Sequence, residues 1–96
     1  MDKVFTESDY KILKAIIDRN DKNKGWCMTN ATTIEEIKVK TNLSDKKVRN
    51  TIKDFIEIGY VAYGVKLKRT NTYMITINGF NQLCKLKMNI YEEENK

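Results

Sequence analysis

The feature that most constrains the fold is a pair of short amphipathic helices joined by only about three residues. Thr33 is a good N-cap for the first of them. Its apolar stripe is expected to consist of Ile34, Ile37 and Val39. Asn42 is expected to end this helix in the left-handed conformation. So short a connection makes the two helices neighbours in the fold.

The second helix of the pair is predicted over the range Ser44–Ile58, with Ser44 as its N-cap. Successive residues of a helix are rotated by about 100°, so Val48, Ile52 and Phe55 lie on one side. This side is expected to be buried. The opposite side then faces solvent or a partner.

A β-hairpin is predicted to follow at once. Gly59 stops the helix, and residues 60–75 are rich in strand-forming side chains on both sides of a turn at residues 69–71. The tip of this hairpin carries Lys66, Lys68 and Arg69. The short apolar segment at residues 26–30 is a candidate for one further edge strand.

Helices are predicted at both ends of the chain. The first begins near Thr6 or Ser8, and Asp9 can complete a capping box with Thr6. The last begins after Thr76, and its first turns can cover the core with Phe80, Leu83 and Cys84. The predicted fold class is therefore α+β, with three or four helices and a small antiparallel hairpin in one domain, residues 1–96.

Positive charge is concentrated in the central region. The net charge is +5, and residues 38–69 hold nine Lys or Arg against three Asp or Glu. The other residues hold nine basic and ten acidic side chains. One basic region indicates nucleic acid or another anionic surface as the partner, and a Lys-rich solvated surface is the alternative interpretation.

The composition argues against several classes of protein. The chain has no histidine and no Walker, HExxH or GxSxG motif, so we expect no enzyme, no metal and no cofactor. Cys27 and Cys84 form no CxxC pair and are expected to be free thiols in or near the core. No apolar run approaches the roughly 20 residues that span a bilayer, and the first residues lack the apolar segment of a signal peptide. We therefore expect a cytoplasmic protein without a membrane partner.

Three segments in this order resemble the winged helix-turn-helix family of DNA-binding proteins. They are the two-helix unit TIEEIKVKTNLSDKKVRNTI, the helix end FIEIGYV, and YMITING. The last is similar to the Y-x-L-T-x-x-G signature that closes the wing in MarR- and PadR-type regulators. The resemblance spans roughly residues 8–86. The segment LSDKKVRNTIKDFIEIGYV and the small size also resemble TubR, the centromere-binding adaptor of plasmid and phage partition systems.

The resemblance implies that the second helix of the central pair is a recognition helix for the major groove of double-stranded DNA. In such a groove Arg49 can contact guanine O6 and N7, and Asn50 can contact adenine N6 and N7. Lys53 lies one turn further on and is expected to meet a phosphate. The candidate DNA-binding residues of this helix are Ser44, Lys46, Lys47, Arg49, Asn50 and Lys53.

The hairpin corresponds to the wing of that family. Arg69 suits insertion into a narrow minor groove. Alternatively, the lysines of the hairpin only protect an edge strand from aggregation. Tyr60, Tyr63 and Tyr73 are expected to be core residues or hairpin pairs. The candidate DNA-binding residues of the wing are Lys66, Lys68, Arg69, Thr70 and Asn71.

The last helix, residues 77–94, is expected to form a homodimer because its apolar series continues past the end of the core. Val4, Phe5 and Ile12 offer a second surface for the same two-fold contact. The competing account is that the last helix folds back on its own domain. The candidate dimerisation residues are Leu86, Met88, Ile90 and Tyr91.

The expected function is sequence-specific binding of double-stranded DNA by this homodimer, as a transcriptional regulator or as a centromere-binding adaptor. The expected target is a palindrome or an array of short repeats. A TubR-like role implies a tubulin-like GTPase as a further partner. The alternative function is a winged-helix protein-interaction module that does not read DNA, and a salt-dependent DNA affinity distinguishes the two.

Overall fold

A computed structural model describes residues 5–17, 21 and 23–94, with side chains up to residue 85. Its helices are α1 (Glu7–Ala15), α2 (Ile34–Thr41), α3 (Asp45–Glu57) and α4 (Ile77–Glu94), with a 3-10 helix at Met28–Asn30. Its strands are β1 (Thr32–Thr33), β2 (Val61–Tyr63) and β3 (Thr72–Ile75). The strands form one antiparallel sheet in the order β1-β3-β2.

Each predicted N-cap is found where the sequence places it. The hydroxyls of Thr6, Thr33 and Ser44 accept hydrogen bonds from the backbone N–H three residues later, at 3.2 Å in all three cases. Thr76 does the same for α4 at 3.0 Å. Asn42 ends α2 with φ 58°, in the left-handed region. These helix boundaries are set by local hydrogen bonds, which is why the sequence predicts them.

The core lies between the helices and the sheet. The N-terminal helix is held to β1 because the Thr32 hydroxyl donates a 2.5 Å hydrogen bond to the carbonyl of Ile16. The buried side of α3 consists of Val48, Ile52 and Phe55, as predicted. The remaining large buried apolar residues are Ile12, Leu13, Ile16, Ile34, Ile37, Val61, Ile75 and Leu83.

The third strand is not where the sequence analysis expects it. Residues 26–30 form a turn and the 3-10 helix, whereas the strand is Thr32–Thr33, paired with Tyr73 and Thr72. The backbone N–H of Gly25 bonds to the carbonyl of Asn30 at 2.8 Å, so this stretch closes on itself and does not extend. Its apolar side chains, Met28 among them, are left outside the sheet.

Four expectations about burial are wrong. Val39 is 83% exposed, because α2 turns only Ile34 and Ile37 toward the core. Cys27 and Cys84 are exposed free thiols. The first helix does not offer Ile12 to a partner, since Ile12 is fully buried in its own domain.

Phe5, also expected on that second surface, packs within the domain. Its ring stacks on Phe55 with centroids 6.0 Å apart and on Tyr60 with centroids 5.8 Å apart. Val4 lies outside the described residues. Phe80 lies at the edge of the core with its ring against Trp26, at 4.9 Å between centroids.

The order helix, helix, tight turn, helix, hairpin, helix confirms the predicted α+β winged helix-turn-helix fold. No helix within the described residues is both long and apolar enough to cross a membrane.

Candidate nucleic-acid interface

One side of α3 is polar, basic and exposed. It is opposite the buried stripe of Val48, Thr51, Ile52 and Phe55, because helical side chains repeat every 3.6 residues. We call this surface the outer face of α3. Its members, all exposed, are Lys46, Lys47, Arg49, Asn50 and Lys53. The structure thus brings together five of the six residues predicted to bind DNA on this helix.

Ser44 lies at the N-terminal end of the outer face. Its hydroxyl accepts the Lys47 backbone N–H, and the residue is exposed. The first N–H groups of a helix have no partner within the helix, and the helix dipole makes this end attractive to an anion. The geometry is therefore compatible with the predicted role of Ser44 in DNA binding, through a phosphate at this helix end.

The hairpin closes in a tight two-residue turn. Leu67 and Thr70 exchange two backbone hydrogen bonds, of 3.0 and 2.9 Å, so Lys68 and Arg69 form the turn itself. This differs slightly from the expected turn at residues 69–71. Lys68 has φ 59°, a conformation that only glycine adopts without cost. We call the exposed residues around this turn the wing tip: Lys66, Lys68, Arg69, Thr70 and Asn71.

A short connection joins the wing to α3. Gly59 follows the helix with φ 85°, and the Tyr60 N–H bonds back to the carbonyl of Phe55 at 2.8 Å. β2 begins at the next residue, Val61. Only Ile58–Tyr60 separate the helix from the strand, so the outer face and the wing belong to adjacent parts of the chain.

Two tyrosines occupy the hairpin as a cross-strand pair. Tyr63 and Tyr73 are register partners with ring centroids 5.5 Å apart. Burial raises the pKa of the Tyr73 hydroxyl. This confirms the expectation of a hairpin pair, with Tyr73 buried and Tyr63 more than half exposed.

Arg49 is paired with Asp45, a residue outside the predicted site. Its Nε donates a 2.6 Å hydrogen bond to Oδ2 of Asp45, one turn earlier. Oδ1 of Asp45 lies 3.5 Å from Nζ of Lys38, which also lies 3.2 Å from a carboxylate oxygen of Glu35. The spacing of four residues between an acidic and a basic side chain is the signal that identifies such a pair.

These ion pairs shift the ionisation of the groups involved. The hydrogen bond from Arg49 lowers the pKa of Asp45, and the same bond raises the pKa of Arg49. The hydrogen bond to Glu35 raises the pKa of Lys38. Each of these shifts favours the charged form of Asp45, Arg49 or Lys38.

The dimerisation candidates cannot be placed in the same way. Leu86, Met88, Ile90 and Tyr91 belong to α4, but their side chains lie outside the described residues. The dimer stays a prediction. No group of three or more Cys, Asp or Glu side chains in the described part of the chain is arranged to hold a metal ion.

Comparison with known proteins identifies the fold. No protein-family model and no curated protein matches the sequence. The DNA-binding TubR fragment of Clostridium botulinum is 28% identical, with a TM-score of 0.65 over 88% of this chain and 99% of that one. A protein of Archaeoglobus fulgidus is 27% identical, with a TM-score of 0.73 over 97% of this chain and 94% of that one.

A third similar structure is BpsR of Bordetella bronchiseptica, whose DNA binding is regulated by 6-hydroxynicotinic acid. It is 17% identical, with a TM-score of 0.67, and the match covers 97% of this chain and 58% of BpsR. At this identity the likeness concerns the fold alone. Together the three structures confirm the winged-helix architecture.

Proposed function

We propose that this chain is a cytoplasmic protein that binds double-stranded DNA, with the outer face of α3 in the major groove and the wing tip beside it. The observation that carries the proposal is the position of the basic residues. Seven exposed cationic side chains lie on two consecutive elements separated by the three residues Ile58–Tyr60. They are Lys46, Lys47, Arg49 and Lys53 on α3, and Lys66, Lys68 and Arg69 on the wing.

The geometry suits DNA better than a protein surface. The major groove is about 12 Å wide and admits one helix, and its edges carry acceptors that Arg and Asn recognise. On the outer face, Arg49 and Asn50 supply such donors between lysines that can meet phosphates. The acidic residues of α3 other than Asp45 are Asp54 and Glu57, in its last turns. An interaction module for proteins would not require this concentration of positive charge.

The salt dependence of DNA affinity tests the proposal. If six of the seven cations meet phosphates, log K should fall with log salt with a slope of about −5. The affinity is measured by fluorescence anisotropy on a labelled duplex, at salt concentrations from about 50 to about 300 mM. A slope near zero would exclude DNA binding as the main function and favour the protein-interaction module.

Matched variants refine this test. Lys53→Ala and Lys68→Ala should each weaken binding to all sequences and make the slope shallower by about one. Lys11→Ala is the control, because Lys11 is exposed, belongs to α1 and not to either basic element, and pairs with Glu7 of the same helix. It should leave the slope unchanged. An equal effect of all three variants would show that only total charge matters.

Reading of bases is assigned to two residues. Arg49→Ala and Asn50→Ala should each cost roughly 1–3 kcal/mol at one base pair and relax the preference there. The measurement is competition between a selected duplex and duplexes with single substitutions. Equal losses on selected and random DNA would contradict a base-reading role.

We also propose that the protein acts as a homodimer through α4. A dimer places two recognition helices about one DNA turn apart, which supplies specificity that a single short helix lacks. The support is the apolar series of Leu86, Met88, Ile90 and Tyr91 in the sequence. Phe5 and Ile12 pack within their own domain, so α4 alone is the proposed dimerisation surface.

A narrower role as a centromere-binding adaptor is favoured by one comparison. The chain spans 99% of the DNA-binding TubR fragment at 28% identity. DNA recovered by in vitro selection should then be an array of short repeats, whereas a lone palindrome would favour a transcriptional regulator. A tubulin-like GTPase is the protein partner that this narrower proposal requires, and binding of such a GTPase to the protein–DNA complex tests it.

A further inference from the structure

Asp45 lies in the first turn of α3, and its carboxylate contacts two cations. Oδ2 accepts the Nε–H of Arg49 at 2.6 Å, and Oδ1 lies 3.5 Å from Nζ of Lys38. Lys38 belongs to α2 and is itself held by Glu35 at 3.2 Å. The carboxylate therefore bridges the two helices of the helix-turn-helix unit.

The contact through Nε determines which hydrogen-bond donors Arg49 can present to a base. A guanidinium has five N–H donors in one rigid plane, and the bond to Asp45 occupies the single donor on Nε. The two Nη groups keep the parallel donors that match O6 and N7 of guanine. Within the described part of the structure, neither Nη group makes a hydrogen bond.

Electrostatics alone would disfavour Asp45 at this position. A carboxylate near the DNA-facing turn repels phosphates, and it lowers the positive potential of the outer face for every sequence. Its favourable interaction with the helix dipole accounts for stability. It does not account for the short bond to an arginine on the outer face.

We propose that Asp45 is a positioning residue for base recognition: it holds the Arg49 guanidinium so that the Nη pair meets a base edge. Asp45 thereby lowers general affinity and raises discrimination. A tethered arginine loses less side-chain freedom on binding the correct base, because the bond to Asp45 already restricts it. This inference rests on the proposed binding of DNA.

The test compares two duplexes with Asp45→Asn, a change that keeps the shape of the side chain and removes its charge. One duplex is selected by the wild-type protein from a randomised library, and the other is a scrambled sequence of the same length and composition. The variant should bind the scrambled duplex about threefold more tightly, because one repulsive charge is gone. Its preference for the selected duplex should fall on the order of tenfold, as for one misread base pair.

Glu57→Gln is the matched control. It removes the same charge from the same helix, but Glu57 is in the last turn of α3, three turns from Asp45. It should change binding to both duplexes by the same factor. Asp45→Ser, a neutral residue that suits a helix N-terminus, must reproduce the loss of preference seen with Asp45→Asn.

A double-mutant cycle with Arg49→Ala shows whether Asp45 acts through the arginine. In the Arg49→Ala background, Asp45→Asn should leave the preference unchanged. An unchanged preference in the single variant, or an equal loss in both backgrounds, would overturn the positioning role. Binding by the wild-type protein distinguishes failure of the positioning role from failure of the proposed function. Salt-dependent binding by the wild type would support DNA binding even if Asp45 has no positioning role. Its absence would overturn both the positioning role and the proposed function.

Discussion

Gly79 is a residue at which a single added methyl group should be damaging, because backbone lies against it. It lies in the first turn of α4, where that helix crosses the start of the wing. A Cβ at this position would lie 2.1 Å from the carbonyl oxygen of Tyr60 and 3.0 Å from Cγ1 of Ile75. Ordinary contact begins near 3.4 Å, so α4 would have to move away from Tyr60 by more than about 1 Å.

The cost of Gly79→Ala follows from this overlap. The oxygen it meets is backbone, so rotation of a side chain cannot relieve the contact. Overpacking of this kind costs about 3 kcal/mol or more, and the better helix propensity of alanine returns about 1 kcal/mol. The free energy of unfolding should therefore fall by about 2 kcal/mol or more. For a domain of this size, the melting temperature falls by roughly 10 °C or more.

Thermal unfolding followed by circular dichroism measures the effect, with two other variants for comparison. Gly59→Ala should cost only about 1 kcal/mol, because Gly59 has φ 85° but no atom within 4 Å of an added Cβ. Asn81→Ala, at an exposed position of α4, should be neutral or slightly stabilising. If Gly79→Ala unfolded at or above the wild-type temperature, the close contact of α4 with Tyr60 would be wrong.

Three further predictions concern the wing, the pH and the dimer. Lys68→Gly should raise the free energy of unfolding by about 0.5 kcal/mol in urea titrations, because φ 59° suits glycine. It should weaken binding to all DNA sequences alike. DNA affinity should be constant from about pH 5.5 to 7, since the chain has no histidine. The hydrogen bond from Arg49 lowers the pKa of Asp45 in the folded protein. The Asp45–Arg49 pair is therefore fully formed above the unfolded carboxyl pKa of about 3.9, and it is lost only as the pH falls through the lower folded pKa. In sedimentation at micromolar concentration, the wild type should be dimeric and Met88→Asp/Tyr91→Asp a folded monomer. A variant that stays dimeric would place the interface elsewhere.

The helix boundaries could be predicted from the sequence because local contacts determine them. Thr6, Thr33, Ser44 and Thr76 each bond to a backbone N–H only three residues away. The buried side of α3 follows from a period of 3.6 residues. The same is true of the basic outer face, which is simply the other side of that helix.

Contacts between distant parts of the chain could not be predicted in this way. β1 is only two residues long, and its pairing with Tyr73 joins positions far apart in the sequence. No local pattern marks Thr32 as a strand residue, whereas the apolar segment beside it, with Met28, wrongly suggests one. The hydrogen bond from Arg49 to Asp45 is different, because its four-residue spacing is visible in the sequence. Its contact with Lys38 depends on how α2 packs on α3.

The segment YMITING makes both a local contact and contacts with a distant part of the chain. Thr76 caps α4 by accepting the Gly79 N–H, and its hydroxyl donates a 2.6 Å hydrogen bond to the carbonyl of Gly59 at the end of α3. The Thr76 N–H bonds to the carbonyl of Tyr60 at 3.1 Å, the same oxygen that Gly79 approaches. Thr76 and Gly79, two of the three residues identical to the signature, thus hold α4 against the junction between α3 and the wing. Neither residue is charged, but both lie where α4 meets this junction, so a change at either should alter the position of the wing relative to the outer face.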